Sequence, residues 1–125
     1  MVLCLTSCTI PTQIELFNNA HQIVRVTVGS REVVLSLGET AKLGTAIGMD
    51  KVEVQIGSAV HVYEVNPAIP ETFVSWSGWG PWSKRTARLQ LDADGKIWLV
   101  GADQVAPVSL FLEQPKGFPL VPHAV

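Results

Sequence analysis

Three tryptophans spaced by three residues, with three cations just after them, are the side chains of this sequence best suited to binding chemistry. Indole faces stack on flat apolar surfaces and attract cations through the ring quadrupole. A run of this kind within a few residues makes this loop a candidate binding cluster. The candidate binding residues are Trp76, Trp79, Trp82, Lys84, Arg85 and Arg88.

Two interpretations of these tryptophans stay open. In one, the indoles and cations form a platform for a sugar ring or for an anionic polymer such as lipopolysaccharide or peptidoglycan. In the other, which we favour from the sequence, the indoles cap an open end of the domain, where each would bury about 150–250 Å². The capping interpretation predicts that Trp79→Ala costs about 3 kcal/mol or more. The platform interpretation predicts that this variant folds and loses binding.

The residues before Cys8 indicate a covalent modification. Leu5, Thr6 and Ser7 precede this cysteine and follow a short apolar stretch. The tetrad resembles the lipobox of bacterial lipoproteins, in which an aliphatic residue and small residues position the cysteine for transfer of a diacylglycerol. The resemblance implies that Cys8 carries a lipid and that the membrane is a partner through this anchor.

The segment upstream of Cys8 is shorter than a complete secretory signal, which contains an apolar region of about 7–15 residues behind basic ones. We therefore expect the true start of the precursor to lie upstream. The alternatives are a short apolar N-terminal strand, or a Cys4/Cys8 pair that forms a disulfide or half of a metal site. The lipobox is favoured because the chain has no other cysteines.

The residue after the cysteine bears on location. In lipoproteins a residue other than Asp at this position usually permits export, so Thr9 implies the outer membrane, facing the periplasm, with the inner membrane as the alternative. The expected organisation is a truncated signal peptide and lipobox over residues 1–8, a tether over residues 9–12, and one domain over residues 13–125.

Composition limits the partners. Charged residues make up 16% of the chain, below the roughly 25% typical of soluble domains. The net charge is −2 at pH 7, so broad electrostatic attraction to nucleic acid or to anionic lipid headgroups is not expected. No apolar run of the sequence approaches the ~20 residues that cross a bilayer as a helix.

The elements that must position the candidate residues are β-strands, because apolar residues alternate with a period of two from residues 13 to 112. The prediction is an all-β, antiparallel β-sandwich of seven to eight strands. Gly-Ser pairs at residues 29–30 and 57–58 predict tight two-residue turns. The expected partners are Val26 with Val33 and Val24 with Leu35 across the first turn, and Val52 with Tyr63 and Lys51 with Glu64 across the second.

Later segments give weaker patterns. The Asp-Gly pair at residues 94–95 predicts a type I′ turn, with Leu91 opposite Trp98. Residues 66–84 contain three prolines and two glycines, which predicts a long ordered loop. Residues 105–112 predict a final strand interrupted by a proline, and residues 114–125 an extended tail packed along the surface.

Other chemistry has little support. His21, His61 and His123 share no ligand spacing, so no metal site is predicted, and His61 is expected to be a core or rim histidine. Asp92 and Asp94 suit a hairpin turn better than a calcium loop. We find no nucleophile elbow and no shielded carboxylate pair, so no catalytic residue and no cofactor are predicted.

These patterns together predict a lipid-anchored cell-envelope protein that acts as a non-catalytic interaction module for another envelope component. The alternative is glycan or small-ligand binding through the tryptophan loop. A weaker alternative is an envelope hydrolase whose catalytic residues come together only in the folded chain.

Overall fold

The computed structural model describes residues 11–46, 51–65 and 68–123. Nine strands in this part of the chain form a five-stranded and a four-stranded sheet, which confirms the all-β sandwich. The lipobox, Cys8 and the alternative Cys4/Cys8 pair lie outside the described residues. The first strand begins at Thr12, one residue before the expected start of the domain.

The strands follow one another along the chain with short connections. In chain order they are β1 (Thr12–Asn19), β2 (Val24–Val28), β3 (Arg31–Leu35), β4 (Thr40–Thr45), β5 (Lys51–Ile56), β6 (Ala59–Glu64), β7 (Val74–Ser77), β8 (Lys84–Asp92) and β9 (Ile97–Val100). The larger sheet has the order β4-β1-β8-β7, with β9 also paired to β8, and the smaller has the order β3-β2-β5-β6. Short 3-10 turns lie at Glu71–Phe73 and Gly80–Trp82.

Among the described strands, β1 and β8 form the one parallel pair, and the other pairs are antiparallel. A parallel neighbour requires a long crossover, and here the chain supplies it by building the whole smaller sheet between β1 and β8. As a result, the start of β1 lies beside the start of β8, with Thr12 aligned with Arg85.

The core lies between the inner faces of the two sheets. Alternate residues of β1 point inward, so Ile14 and Leu16 are fully buried. Leu89 and Leu91 are buried in the same way on β8. Each such side chain contributes about 1.5–3 kcal/mol when it leaves water. The buried amide of Asn18 continues this face at the end of β1.

The two Gly-Ser hairpins are confirmed with the predicted registers. Gly29 and Gly57 have φ of 59° and 62°, the left-handed conformation that the first position of a type II′ turn requires. Ser30 and Ser58 have no positive φ. Turn chemistry and the alternation of apolar residues therefore agree at both hairpins.

The predicted register of the third hairpin is wrong by one residue. Leu91 pairs with Ile97, and Trp98 lies opposite Gln90. Only Gly95 of the turn takes a positive φ, of 87°, and its N–H bonds to the carbonyl of Asp92. This is the three-residue loop with a glycine bulge, in place of the type I′ turn that needs two positive φ values.

The strand predicted over residues 105–112 is also wrong. Glutamine side chains, in place of a strand ladder, bind backbone groups of Val108, Leu110 and Leu112 in this segment. The Gln90 amide accepts a bond from Val108 N–H (2.7 Å) and donates one to its carbonyl (2.9 Å). Gln114 binds both backbone groups of Leu99 in the same way, at the edge of β9.

Within the described residues 68–84, the predicted loop contains a strand, β7. The sequence also did not predict β4. The described part of the tail forms no strand, as expected, but it does more than cover the surface. Phe118 and Leu120 are buried in the core. A single bridge joins Leu120 to Ile97, and another joins His123 to Val62 at the edge of β6.

Candidate functional site

The tryptophans lie on the hairpin that joins β7 to β8, over residues 76–83, which we call the Trp loop. Two glycines shape its tip, because Gly78 and Gly80 have φ of 74° and 59°. A Cβ at Gly78 would overlap the carbonyl oxygen of Trp82, whereas a Cβ at Gly80 would meet nothing within 4 Å. Backbone bonds from Trp82 N–H to Trp79 and from Ser83 N–H to Gly80 close a tight 3-10 turn.

All three indoles of the Trp loop face solvent. Trp76, Trp79 and Trp82 are 58%, 76% and 70% exposed. The favoured sequence interpretation, in which they cap the core, is therefore wrong. Large aromatic side chains grouped on the surface of a soluble domain are typical of contact sites.

The rings do not form one flat platform. Trp79 and Trp82 pack edge to face, with centroids 6.0 Å apart and planes at 67°. The guanidinium carbon of Arg85 lies 5.3 Å from the ring centroid of Trp76 and so covers one face of that indole. The loop therefore presents an edge-to-face pair of indoles and a third indole that Arg85 covers on one face.

Arg85 holds the base of the Trp loop. It is the cross-strand partner of Trp76 in the β7–β8 ladder, and its guanidinium forms an ion pair with Glu71, which the sequence did not single out. The Arg85 side chain is only 17% exposed, and its Nε is buried without a hydrogen-bond partner in the described part of the chain. Its charge is thus engaged by a carboxylate and an indole.

The other two cations lie apart from Arg85. Arg88 is half-buried and donates hydrogen bonds to the carbonyls of Gly101 (2.8 Å) and Ala102 (3.0 Å). It therefore supports the chain after β9 and does not join the tryptophans. Lys84 is exposed at the start of β8, opposite Ser77. The structure brings together the three tryptophans, Lys84 and Arg85.

The Trp loop lies at the end of the larger sheet where β1 begins. Thr12, Arg85 and Trp76 are aligned across β1, β8 and β7. No local pattern in the sequence could have shown this, because Thr12 and Arg85 are brought together by a parallel pairing across most of the chain.

The histidines lie apart from one another. His61 is half-buried, with its ring 6.4 Å from that of Tyr63. His123 Nε2 lies 3.7 Å from Glu64 Oε1, and His21 is exposed in a left-handed turn with φ of 63°. Within the described ranges, no three His, Cys, Asp or Glu side chains come together in a group that could hold a metal ion.

The acidic turn after β8 has the structural role that the sequence predicted for it. Asp94 Oδ1 accepts a hydrogen bond from Lys96 N–H at 3.0 Å, which stabilises the turn. Among the helices of the described residues, none has the length and apolar character needed to cross a bilayer.

Comparisons of the chain with models of protein families, with curated protein sequences and with solved structures each found no significant match. The chemistry and the geometry of the Trp loop are therefore the features that indicate a function.

Proposed function

We propose that this chain is a lipid-anchored, non-catalytic binding domain of the bacterial cell envelope, and that the Trp loop is its contact surface. The lipid would be carried by Cys8, in the segment that resembles a lipobox. The sandwich would serve as a rigid support that holds the loop in one shape.

The observation that carries this proposal is the exposure of the three indoles, between 58% and 76%. Their area does not stabilise the domain core, and exposing grouped apolar side chains to water is unfavourable unless a partner covers them. The glycine conformations at the loop tip and the ion pair at its base hold the indoles outward. A loop built in this way suits recognition by contact.

Glycan binding through the same loop is the second candidate. It is favoured by the exposed indole faces and by Lys84, because stacking and charge together recognise sugar rings and anionic polymers. Arg85 and Arg88, which the sequence assigned to such a platform, are engaged by Glu71 and by backbone carbonyls. This leaves the platform with less free charge than predicted.

Stability measurements separate a contact loop from a structural one. Trp79→Ala should lower the free energy of unfolding by less than about 1 kcal/mol, since the side chain is 76% exposed and surface substitutions cost little. Leu99→Ala, at a fully buried position, should cost about 2–5 kcal/mol as a matched control. Equal losses for the two variants in urea unfolding would contradict the proposal.

The acylation of Cys8 and the binding of a partner by the Trp loop are tested separately from stability. Mass spectrometry of the protein purified from its native host should show Cys8 as the N-terminal residue, carrying acyl chains. Affinity capture from envelope extracts with the folded protein should then recover envelope components, and Trp79→Ala should lose them. If Trp79→Ala recovers the same components as the wild type, the contact surface is not the Trp loop and lies elsewhere on the domain.

A further inference from the structure

We propose that the partner of the Trp loop is the bilayer itself, so that the three indoles enter the interfacial layer of the membrane beside the lipid on Cys8. The loop would then be a second membrane contact that fixes the orientation of the domain. This inference rests on the proposed acylation of Cys8.

The Trp loop lies beside the start of β1, the strand that follows the proposed anchor in the chain. β1 runs parallel to β8, and Thr12 lies beside Arg85, which in turn lies beside Trp76. Neighbouring strands are about 4.8 Å apart, so the backbones of Thr12 and Trp76 are separated by about 10 Å. The rest of the Trp loop continues past this row, beyond the last β7–β8 pair, Ser77 with Lys84.

The segment between Cys8 and β1 is short. Four residue steps separate Cys8 from Thr12, and even a fully extended chain spans at most about 3.6 Å per step, or ~14 Å in all. Acyl chains on Cys8 hold that residue at the membrane surface. The interfacial layer is about 5–8 Å thick on each side of the hydrocarbon core. The start of β1 is therefore close to the lipid headgroups, and the loop projects past it.

The side chains of the Trp loop are of the types that favour the membrane interface. Tryptophan favours the membrane interface because its ring is apolar and its N–H is polar. The edge-to-face pair of Trp79 and Trp82 suits insertion between lipids better than stacking on a flat sugar. Lys84 is exposed beside them, and its ammonium can reach anionic headgroups while its alkyl chain lies along apolar surface.

The distribution of charge along β8 fits the same orientation. The strand begins beside the Trp loop with Lys84, followed by Arg85, which is paired with Glu71. It ends at Asp92, next to the turn that carries Asp94 and Lys96. Nine residues of strand place these ends about 30 Å apart. The end with the free charge of Lys84 would face anionic lipid, and the more acidic turn would point away from the membrane.

The test uses the full chain with Cys8→Ala, so that no acyl chain dominates the affinity, in a Trp98→Phe background. Trp98 is stacked on Phe111, with ring centroids 4.7 Å apart. Replacing Trp98 leaves the three tryptophans of the Trp loop as the only tryptophans of the chain, so the tryptophan fluorescence comes from the loop alone. Vesicles contain phosphatidylethanolamine and phosphatidylglycerol, with and without brominated acyl chains. We expect a blue shift of the emission on adding vesicles and quenching by the brominated lipid.

Comparing how strongly matched variants bind vesicles tests whether the Trp loop causes the membrane binding. The Trp79→Ala/Trp82→Ala double variant should bind vesicles at least about tenfold more weakly. Each substitution removes on the order of 100 Å² of apolar surface that the indole would bury in the membrane. Val34→Ser removes an apolar side chain that is 54% exposed on the smaller sheet. It should change partitioning less than twofold. Circular dichroism checks that each variant is folded.

Equal partitioning of the double variant and its parent, or loop emission that vesicles and brominated lipid leave unchanged, would overturn the inference. Emission that responds to soluble peptidoglycan fragments and not to vesicles would also overturn it, in favour of the glycan candidate. An unmodified Cys8 in the native protein would instead refute the proposed anchor. That result is separate, because the vesicle assay uses unacylated protein.

Discussion

The hydroxyl of Tyr63 joins the two sheets, and Tyr63→Phe tests how the sandwich is held together. Tyr63 lies on β6, is fully buried, and donates a hydrogen bond of 2.6 Å to the carbonyl of Gly95 in the β8–β9 turn. The variant keeps the ring and leaves this buried carbonyl without its donor, which costs about 1–3 kcal/mol. For a domain of this size, each kcal/mol lowers Tm by about 3–6 °C.

The pH dependence of stability identifies the hydroxyl as the cause. Burial, and secondly the charge of Asp94, raise the pKa of Tyr63 from 10.0 to about 12. Because the folded pKa lies above the unfolded one, this stabilisation is complete below about pH 10 and is lost as the pH rises through about 12. At pH 11 the wild-type chain has lost roughly 1 kcal/mol of it. The variant has no such group to titrate.

Urea unfolding of both proteins at pH 8 and pH 11 measures this effect. We expect the wild type to be more stable by about 1–3 kcal/mol at pH 8, and we expect this difference to be smaller by roughly 1 kcal/mol at pH 11. Tyr63 is the only tyrosine of the chain, so an ultraviolet absorbance titration reports its pKa directly. A difference that does not change with pH, or a folded protein whose phenol titrates near its ordinary pKa, would refute the reasoning.

Three further predictions concern the turns and the C-terminal segment. Asn18→Ala should lower the free energy of unfolding by at least about 2 kcal/mol, because its buried amide bonds three carbonyls and one N–H, whereas Asn19→Ala loses one side-chain bond and should cost less. Gly78→Ala should weaken vesicle binding and stability more than Gly80→Ala; both are strained by positive φ, but only the first adds overlap with the loop backbone. Gln90→Ala should speed limited proteolysis after β9, since its amide holds that segment, and unchanged cleavage rates would show that other contacts suffice.

The sequence predicted most of what depends on neighbours along the chain. A Gly-Ser turn needs one positive φ and a two-residue loop, so the registers of β2 with β3 and of β5 with β6 followed from local chemistry. The third hairpin failed because an Asp-Gly pair suits two turns of different length. The choice between them depends on which apolar residues the rest of the fold buries.

The strand expected near the C-terminus failed for a related reason. Alternating apolar residues at 105–112 are compatible with a strand, but a strand needs a free edge to pair with. Here the edge of β9 is occupied by the Gln114 side chain, and Gln90 satisfies Val108. Bonds from a side chain to distant backbone leave no periodic signal in a sequence.

For the candidate site, the sequence by itself determined the residue types: three indoles at a spacing of three, two nearby glycines and the cations that follow. Whether those indoles are buried or exposed was decided by the tertiary structure, since their exposure depends on where the loop lies relative to the two sheets. The same holds for Arg85 and Arg88, whose partners come from other segments. The position of the Trp loop beside the start of β1 arises from a parallel pairing of distant strands, and only folding of the whole chain creates it.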